Sequence, residues 1–255
     1  MEHSFKKVYL EITNQCNLNC SFCPKTSREV KYISTEQFDY LIGAVKQYSQ
    51  YVYLHVMGEP FLHPQLESIL NICFENEIKV NITTNGTLLS SVKEVLLNSK
   101  SLRKISFSTH CFENDDINKK QYLQNIEQFI KEVYGSFIVE LRDWNNSEVS
   151  NSLKIAPNVY HSLQNQFQWP DINREETNSK AFCYGLRDQF GVLVDGTVVP
   201  CCLDSEGTIA LGNLYETPLE EILFSERANS IYEGFSSRRA VEPLCQRCGY
   251  AQRFS

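Results

Sequence analysis

The sequence lacks long apolar runs and has no excess of basic residues. Its 255 residues carry 24 Lys and Arg against 31 Asp and Glu, which gives a formal net charge of -7. No stretch approaches the roughly 20 apolar residues that span a bilayer, and the first residues, MEHSFKKVYLEI, lack the apolar centre of a signal peptide. No basic stripe suited to a phosphate backbone is present. We therefore expect a cytoplasmic protein that contacts neither membranes nor nucleic acids and acts on a small-molecule substrate.

Cysteine, in contrast, is abundant. Ten cysteines in a reducing compartment argue against a disulfide framework and for metal ligation or redox chemistry. Seven of the ten fall into two groups, namely Cys16, Cys20 and Cys23 near the start and Cys183, Cys201, Cys245 and Cys248 near the end. Of the remaining three, Cys73 and Cys111 are expected in the core, and Cys202 is expected to be a structural thiol.

Strand-like and helix-like segments alternate through the first two thirds of the chain, which predicts an α/β fold with a parallel sheet, wound or partly closed as a barrel. The first helix is predicted to begin after Ser34, with Gln37 completing a capping box. Further helices are expected near HPQLESILNICFENE, SSVKEVLLNS and KKQYLQNIEQFIKEVYG. The predicted strands are KKVYLEIT, YVYLHVM, IKVNITTN, RKISFSTH and SFIVELRD.

Each predicted strand alternates apolar and polar side chains. The apolar set, which includes Val8, Val56 and Phe107, is expected to pack under helices, and the polar set to surround a cavity that opens at the strands' C-terminal ends. An antiparallel sheet with one wet face is the alternative. As alternatives to a catalytic role, Glu140 and Arg142 could simply pair with each other, and His55 could be a core histidine with satisfied hydrogen bonds. The candidate catalytic residues of the polar set are Glu11, His55, His110, Glu140 and Arg142.

The last third contains a predicted β-hairpin. FGVLVDGTVVPCC turns at Asp195-Gly196, a strong hairpin signal, and a helix is expected from about residue 218 to 234. The four cysteines of the second group lie around these elements, and Cys245-x-x-Cys248 has the spacing of a metal-binding pair. We therefore predict a closed four-thiolate metal site near the end of the chain.

The segment CNLNCSFC, residues 16–23, resembles the CxxxCxΦC signature of the radical S-adenosylmethionine (SAM) superfamily. A zinc site would normally require a fourth ligand nearby. The resemblance implies that Cys16, Cys20 and Cys23 hold a [4Fe–4S] cluster with one open iron, which the amino and carboxylate groups of SAM would bind. Phe22 then occupies the aromatic position beside the adenine.

Further motifs agree with this resemblance, which covers roughly residues 6–150. Met57-Gly58-Glu59-Pro60 is similar to the GGEP motif that receives the methionine ammonium, although Met57 replaces the first glycine. Thr84-Asn85-Gly86 is similar to the family's TNG, and Ser108 occupies the position of a ribose contact. The implied cofactor-binding residues are Phe22, Gly58, Glu59, Pro60, Asn85 and Ser108.

The resemblance implies a partial (β/α)6 barrel over residues 1–165 and a small cysteine-rich region over residues 175–255. Residues 183–201 read C-x12-G-x4-C, similar to the opening of the SPASM/twitch extension. Because residues 249–255 carry no further cysteines, the shorter twitch form is expected. Its metal would be a second [4Fe–4S] cluster or a structural zinc.

The implied reaction begins with an electron from a flavodoxin- or ferredoxin-type donor. SAM is then cleaved reductively to a 5′-deoxyadenosyl radical, which abstracts hydrogen from a small amine- or diol-bearing substrate. The favoured expectation is a queuine lyase that releases a deazaguanine for queuosine salvage. The alternatives are a twitch-type dehydrogenase of an aminocyclitol alcohol, an enzyme that modifies ribosomal peptides, and a non-enzymatic iron–sulfur or zinc binding module.

Overall fold

Ten strands form a single open sheet in the computed structural model, which describes residues 4–111, 116–133, 135–145 and 151–254. The strand order is β10-β9-β8-β1-β2-β3-β4-β5-β7-β6. The strands are β1 (Lys7–Leu10), β2 (Tyr51–Tyr53), β3 (Lys79–Thr84), β4 (Leu102–Ser108), β5 (Ile138–Asn145), β6 (Asn151–Ala156), β7 (Val159–Asn165), β8 (Gln189–Val192), β9 (Thr197–Val199) and β10 (Gly212–Asn213).

The central strands are parallel, which confirms the predicted sheet and rules out the antiparallel alternative. β8, β1, β2, β3, β4, β5 and β7 pair in parallel along the sheet. The sheet ends at β10 and β6 and does not close, as a partial barrel requires. The sixth repeat differs from the predicted (β/α)6 pattern, because the described residues between β5 and β7 form the antiparallel strand β6 rather than a helix.

The helices follow the strands as predicted. Ser34 accepts a hydrogen bond from the Gln37 amide and the Gln37 side chain accepts one from the Ser34 amide, which confirms the capping box. The helix predicted over residues 218–234 is instead two helices, because Ser225 caps a second start by accepting from the Ala228 amide. The helices are α1 (Thr35–Val45), α2 (Leu66–Glu75), α3 (Leu89–Asn98), α4 (Asp116–Glu132), α5 (Leu219–Leu223), α6 (Glu226–Ser236) and α7 (Pro243–Gln246).

The apolar strand faces and the helices share one core. Val8, Phe107 and Cys73 are fully buried in it, so the prediction of a core position for Cys73 is confirmed. Val56 is an exception, because the chain leaves β2 after Tyr53 and turns the Val56 side chain into a second cluster with Tyr9, Leu193 and Val199. The prediction that Val56 packs under the helices was wrong for this reason.

The C-terminal cysteine region is joined to the same sheet. β8 pairs with β1 in the register Lys7↔Gln189 to Leu10↔Val192. β8 and β9 form the predicted hairpin, and Gly196 turns it at a φ of 89°, a conformation that glycine adopts without a steric cost. Within the described ranges, no helix combines the length and apolar character needed to cross a membrane.

Candidate active site and four-cysteine centre

A cavity of about 510 Å³ opens at the C-terminal ends of β1 to β4. This is the edge at which α/β proteins bind ligands, and the volume lies in the range of small-molecule pockets. The sequence-predicted residues that line it are Cys16, Cys20, Phe22, Cys23, His55, Gly58, Glu59, Asn85, Ser108 and His110. The alternating pattern of the strands therefore does place polar side chains around one cavity.

The three-cysteine loop follows β1 and presents its thiols to this cavity. The Leu18 amide donates to the Cys16 sulfur at 3.4 Å, and the Asn85 side-chain amide lies 3.8 Å from the same sulfur. Burial raises the pKa of the Cys16 and Cys23 thiols. Three thiols on one wall of a ligand-sized cavity suit a cluster with a free coordination position, and cluster ligation would require them to lose their protons.

Gly58 allows the end of β2 to approach the three-cysteine loop. A Cβ atom at this residue would lie 2.3 Å from the Thr13 carbonyl oxygen and 2.8 Å from that of Gln15. The neighbouring Glu59 amide donates to the Gln15 oxygen at 2.7 Å. The backbone of this motif is therefore packed directly against the residue that precedes Cys16.

Glu59 joins the ends of two strands through its carboxylate. One oxygen accepts from the Thr84 hydroxyl at 2.6 Å and the Phe61 amide at 3.0 Å, and the other accepts from the Asn85 amide at 2.7 Å. The side chain is almost entirely enclosed, and burial raises its pKa. The second oxygen keeps acceptor capacity for a further donor, so its predicted contact with the methionine ammonium stays a prediction. Pro60 is also buried and begins a short 3-10 helix, Pro60–Leu62.

Asn85 connects the end of β3 to the three-cysteine loop. Its side-chain amide donates to the Asn17 side-chain oxygen at 2.9 Å, while its own oxygen accepts from the Thr87 amide at 2.9 Å. These bonds fix the amide beside the loop. Ser108, the last residue of β4, also lines the cavity. Their assignment to SAM binding comes from the family resemblance and remains a prediction.

Phe22 and His110 line the cavity, and the Trp144 ring packs against both of them. Phe22 lies 4.8 Å from the His110 ring and 4.6 Å from the Trp144 ring, and His110 stacks on Trp144 at 4.4 Å with an interplanar angle of 10°. Trp169 also lines the cavity. Sequence reasoning missed both tryptophans. The signal for Trp144 was its position directly after the predicted fifth strand.

Glu140 and Arg142 do not pair with each other. Glu140 accepts from Lys104 at 2.8 Å, Ser106 at 2.7 Å and Ser162 at 2.8 Å, whereas Arg142 donates to Gln164 at 2.9 Å. Burial alone would raise the Glu140 pKa, but Lys104 and the two hydroxyls outweigh it and lower the pKa. The expectation of a mutual ion pair was wrong, because neighbouring strands supply the partners. Both side chains are bonded to neighbouring strands, and neither is among the residues that line the cavity.

His55 lines the cavity in a neutral form. Its ring packs edge-on against Tyr9 at 5.4 Å and Tyr53 at 6.2 Å. Burial, with the positive charges of Arg142 and Lys7, lowers its pKa to about 3. Its buried Nδ1 has no hydrogen-bond partner among the described residues, so the prediction of a fully satisfied core histidine was wrong.

Glu11 lies beneath the cavity instead of on its wall. The side chain is fully buried, and its oxygens accept from the Met57 amide at 3.0 Å, the Val194 amide at 3.0 Å and the Arg28 guanidinium at 2.7 Å. These bonds leave Glu11 no direct access to a substrate in the cavity. The prediction of a substrate-facing carboxylate is therefore corrected to a residue that connects three segments.

The four cysteines of the second group surround a separate buried cavity of about 30 Å³. Burial raises the pKa of all four thiols, to about 11 for Cys183. In the part of the chain that the structure describes, no three Cys, His, Asp or Glu side chains are spaced to hold a single metal ion. The second site is thus a ring of buried thiols around a void, and four thiolates are the ligand set of a closed [4Fe–4S] cluster.

The remaining cysteines differ from each other in position. Cys111 lines the active-site cavity and hydrogen-bonds to Cys20, so the prediction that it belongs to the core was wrong. The reason is that β4 ends at Ser108, and a short 3-10 helix, Thr109–Cys111, turns the chain toward the loop. Cys202 packs against the apolar cluster of Tyr9 and hydrogen-bonds to the Tyr9 hydroxyl.

Comparison with known protein families matches both halves of the chain. Residues 10–153, more than half of the chain, match the radical SAM superfamily. Residues 183–249 match the SPASM iron–sulfur cluster-binding domain. These matches support two iron–sulfur sites, one with SAM in the large cavity and one at the four cysteines.

Two curated relatives illustrate the range of similar proteins. A tungsten-containing aldehyde ferredoxin oxidoreductase cofactor-modifying protein of Pyrococcus furiosus is 23% identical over 232 residues, 89% of this chain and 61% of the relative. This chain therefore spans about three fifths of that protein's length. An S-adenosyl-L-methionine-dependent 2-deoxy-scyllo-inosamine dehydrogenase of Niallia circulans is 20% identical over 256 residues, 97% of this chain and 94% of the relative.

Solved structures agree with the fold. The structure of BtrN in complex with AdoMet and 2-DOIA superposes with a TM-score of 0.64 at 18% identity, covering 97% of this chain and 94% of the other. Streptococcus suis SuiB bound to the precursor peptide SuiA gives a TM-score of 0.59 at 18% identity, covering 98% and 71%. At these identities the likeness concerns the fold alone.

Proposed function

The chain belongs to the radical SAM superfamily, and from this membership we propose that it is an oxidoreductase that removes hydrogen from a hydroxyl- or amine-bearing carbon of a small polar substrate. When bound, the two clusters and SAM supply the electron that breaks the S–C5′ bond, the radical that takes the substrate hydrogen, and an acceptor for the second electron. The protein's own residues would bind and orient the reactants and keep water away.

The observation that carries this proposal is a chain of side-chain contacts that connects the four-cysteine centre to the active-site cavity. Cys201 belongs to the centre, and the next residue, Cys202, hydrogen-bonds to Tyr9. Tyr9 packs against Val56 and His55, which line the cavity. A closed cluster behind Cys202 and Tyr9 would suit a dehydrogenation, in which the substrate radical must lose an electron and a proton to become a ketone or imine.

SAM would lie between the cysteine loop and the ends of β2, β3 and β4. The backbone at Met57 and Gly58 and the free acceptor capacity of Glu59 are suited to the methionine group. Phe22 and Ser108 are suited to the adenosine group. The rings of His110 and Trp144 would exclude water from that side, which protects a reactive radical from side reactions.

His55 is the residue best suited to orient a substrate hydroxyl or amine. An imidazole whose pKa is lowered to about 3 is uncharged at pH 7, so it would exchange hydrogen bonds with a substrate without adding a charge. Glu140 and Arg142 would act indirectly, by fixing neighbouring strands of the sheet through Lys104 and Gln164. These assignments extend the predicted roles to the geometry described above.

The relative that spans nearly the whole chain, the 2-deoxy-scyllo-inosamine dehydrogenase, supports an alcohol dehydrogenation through its matching length. None of the relatives reported above is a queuine lyase, so the queuine prediction gains no support from them. Modification of a peptide is a further alternative, since SuiB shares the fold. We place the reaction in a reducing cytoplasm, with a flavodoxin- or ferredoxin-type protein as donor.

The test is a substrate comparison on anaerobically reconstituted protein. An aminocyclitol, queuine and a short peptide would each be incubated with SAM and a reductant, and products would be followed by mass spectrometry. Loss of a hydrogen pair from the aminocyclitol, with one 5′-deoxyadenosine formed per product, supports the proposal. Release of a deazaguanine from queuine would replace it with the lyase. Cys16→Ala should abolish SAM cleavage, and a variant that still cleaves SAM would contradict the proposed radical chemistry.

A further inference from the structure

The three-cysteine loop is attached to the C-terminal cysteine region through the buried carboxylate of Glu11. This carboxylate accepts from Arg28, which follows the loop, and from the Met57 amide, which precedes Gly58. Its third donor is the Val194 amide in the C-terminal hairpin. Three segments that are distant in sequence therefore meet at one fully buried side chain.

Two more contacts connect the same segments. The Arg28 guanidinium donates through Nε to the Ser205 carbonyl oxygen at 2.8 Å, in addition to its bond to Glu11. The Ser27 amide and hydroxyl donate to the Glu206 carboxylate at 3.1 and 2.6 Å. Residues 26–28, which begin three residues after Cys23, are thus bonded to the C-terminal region at several points.

The C-terminal residues that make these contacts flank Cys201, a residue of the four-cysteine centre. Val194 precedes Cys201 in the hairpin, and Ser205 and Glu206 follow it in a loop. Asp204 stabilises that loop by accepting from the Thr208 amide at 2.8 Å and the Ile209 amide at 2.7 Å. A metal that fixes Cys201 would therefore also fix the residues that hold the end of the three-cysteine loop.

We propose that Glu11 and Arg28 are positioning residues through which the four-cysteine centre controls the geometry of the SAM site. Filling the centre orders residues 194–206, which hold Arg28 and Ser27, and Glu11 transmits the same order to Met57 and Gly58. The centre then has a second task besides redox chemistry, because it sets the affinity of the first site for SAM. This inference rests on membership of the superfamily and not on the proposed substrate.

The first test compares variants of the full chain, reconstituted without oxygen. Glu11→Gln keeps the shape of the side chain but removes the charge opposite Arg28, and Arg28→Lys keeps the charge but loses the planar fork that bonds Glu11 and Ser205 together. We expect each variant to bind SAM at least tenfold more weakly and to alter the electron paramagnetic resonance spectrum of the SAM-bound cluster. Glu132→Gln, which breaks the remote Lys93 ion pair, is the matched control and should bind SAM normally.

Hydrogen–deuterium exchange provides a readout that needs no cluster. Faster exchange is expected in residues 24–33 and 194–209 of Glu11→Gln, with β3 and β4 as protected as in the unaltered protein. The milder Glu206→Gln weakens the contacts with Ser27 and should speed exchange in these segments by a smaller factor. Unchanged exchange in both segments of Glu11→Gln would overturn the proposal, and protected central strands exclude general unfolding as the cause.

The second test measures the coupling itself. The paired substitution of Cys245 and Cys248 by Ala is designed to empty the four-cysteine centre at residues remote from the Glu11 contacts, and we expect it to weaken SAM binding about tenfold. In a Glu11→Gln background, the same substitution should have little further effect, because the connection is already broken. Independent, multiplying effects would overturn the proposal, as would normal SAM affinity in the paired Cys245 and Cys248 variant when metal analysis shows that its centre is empty. A protein that passes both tests but does not oxidise the aminocyclitol would leave this inference standing and reject only the proposed substrate.

Discussion

At the scale of single residues, two buried carboxylates near the cavity perform different tasks. Among the described residues, Glu59 accepts from two backbone amides and a hydroxyl, and its second oxygen accepts one of these bonds. Glu11 bonds a guanidinium and two amides and is fully buried. Glu59 is therefore suited to receive a ligand's ammonium group, whereas Glu11 holds protein segments together.

Gly58 provides a test of backbone approach at one residue. Gly58→Ala places a Cβ 2.3 Å from a backbone oxygen that cannot move aside easily, and φ is 78°. We expect a loss of about 2–4 kcal/mol in the free energy of unfolding, measured by urea titration, together with weaker SAM binding.

The control for this variant is Gly43→Ala. Gly43 lies in α1, where an added Cβ would meet no described atom within 4 Å apart from its chain neighbours and its own helix backbone, so the substitution should stabilise the helix by up to about 1 kcal/mol. If Gly58→Ala were as stable as the unaltered protein, the close approach described here would be wrong.

The lowered pKa of His55 predicts a pH dependence of stability. The unfolded chain takes up the proton at about pH 6.5, whereas folded His55 does so at about pH 3. The folded state therefore loses stability as the pH falls below about 6.5, by at most about 1.4 kcal/mol per pH unit. Tyr9 and Tyr53 pack against the ring, and the positive charges of Arg142 and Lys7 act on it.

The measurement compares the unfolding free energy of the unaltered protein with that of His55→Gln between pH 5 and pH 8. All other titrating groups are shared, so the difference isolates His55. Below about pH 6.5, the unfolding free energy should fall less steeply with decreasing pH in His55→Gln than in the unaltered protein. Equal slopes in the two proteins would show that His55 is not held neutral by its surroundings.

At the scale of elements, the strands were more predictable than the connections between them. Alternation of apolar and polar residues identified the five strands β1 to β5, and the Asp195-Gly196 turn identified the hairpin of β8 and β9. Alternation did not identify β6, whose side chains are largely exposed and carry no such pattern, and it also missed β7 and the two-residue β10. The contacts of Val56 and Cys111 were also missed, because both residues follow the point at which a strand ends and regular alternation no longer applies.

The residues of the site were likewise only partly predictable from the sequence. Motif residues such as Gly58 and Asn85 were found because local spacing and family resemblance mark them. Arg28, Trp144 and Trp169 were missed because their roles come from contacts between segments distant in sequence. The predicted pairing of Glu140 with Arg142 was wrong for the same reason. Their partners lie on neighbouring strands of the sheet, which sequence spacing does not reveal.

The start of α1 offers a test at this scale. Ser34→Ala removes the hydroxyl that accepts from the Gln37 amide at 3.2 Å, and we expect it to cost about 1 kcal/mol of unfolding free energy. Ser91→Ala is the control, because Ser91 is an exposed serine inside α3 and caps no helix start. A cost equal to that of Ser91→Ala would mean that the capping box contributes nothing to stability.

At the scale of the whole molecule, the three cysteines of the first group and the four of the second are each expected to bind one iron–sulfur cluster. Replacing Cys16, Cys20 and Cys23 together by Ala should leave about four irons per chain, the content of one [4Fe–4S] cluster, and abolish SAM cleavage. Metal analysis and electron paramagnetic resonance of the anaerobic protein provide the measurement. Zinc in place of iron in this variant would contradict a second cluster at the four cysteines. The reciprocal variant, with Cys245 and Cys248 replaced by Ala, should retain the first cluster.

The parallel pairing of β1 with β8 also constrains how the chain is made. While a ribosome is still translating the first half, the β1 edge that will bond to residues 189–192 has no partner, and an open strand edge readily pairs with other chains. The nascent polypeptide thus passes through a stage in which its first strand is vulnerable to aggregation until most of the message has been read. Slow synthesis, or a stalled ribosome before codon 189, would lengthen that stage and increase the demand for chaperones.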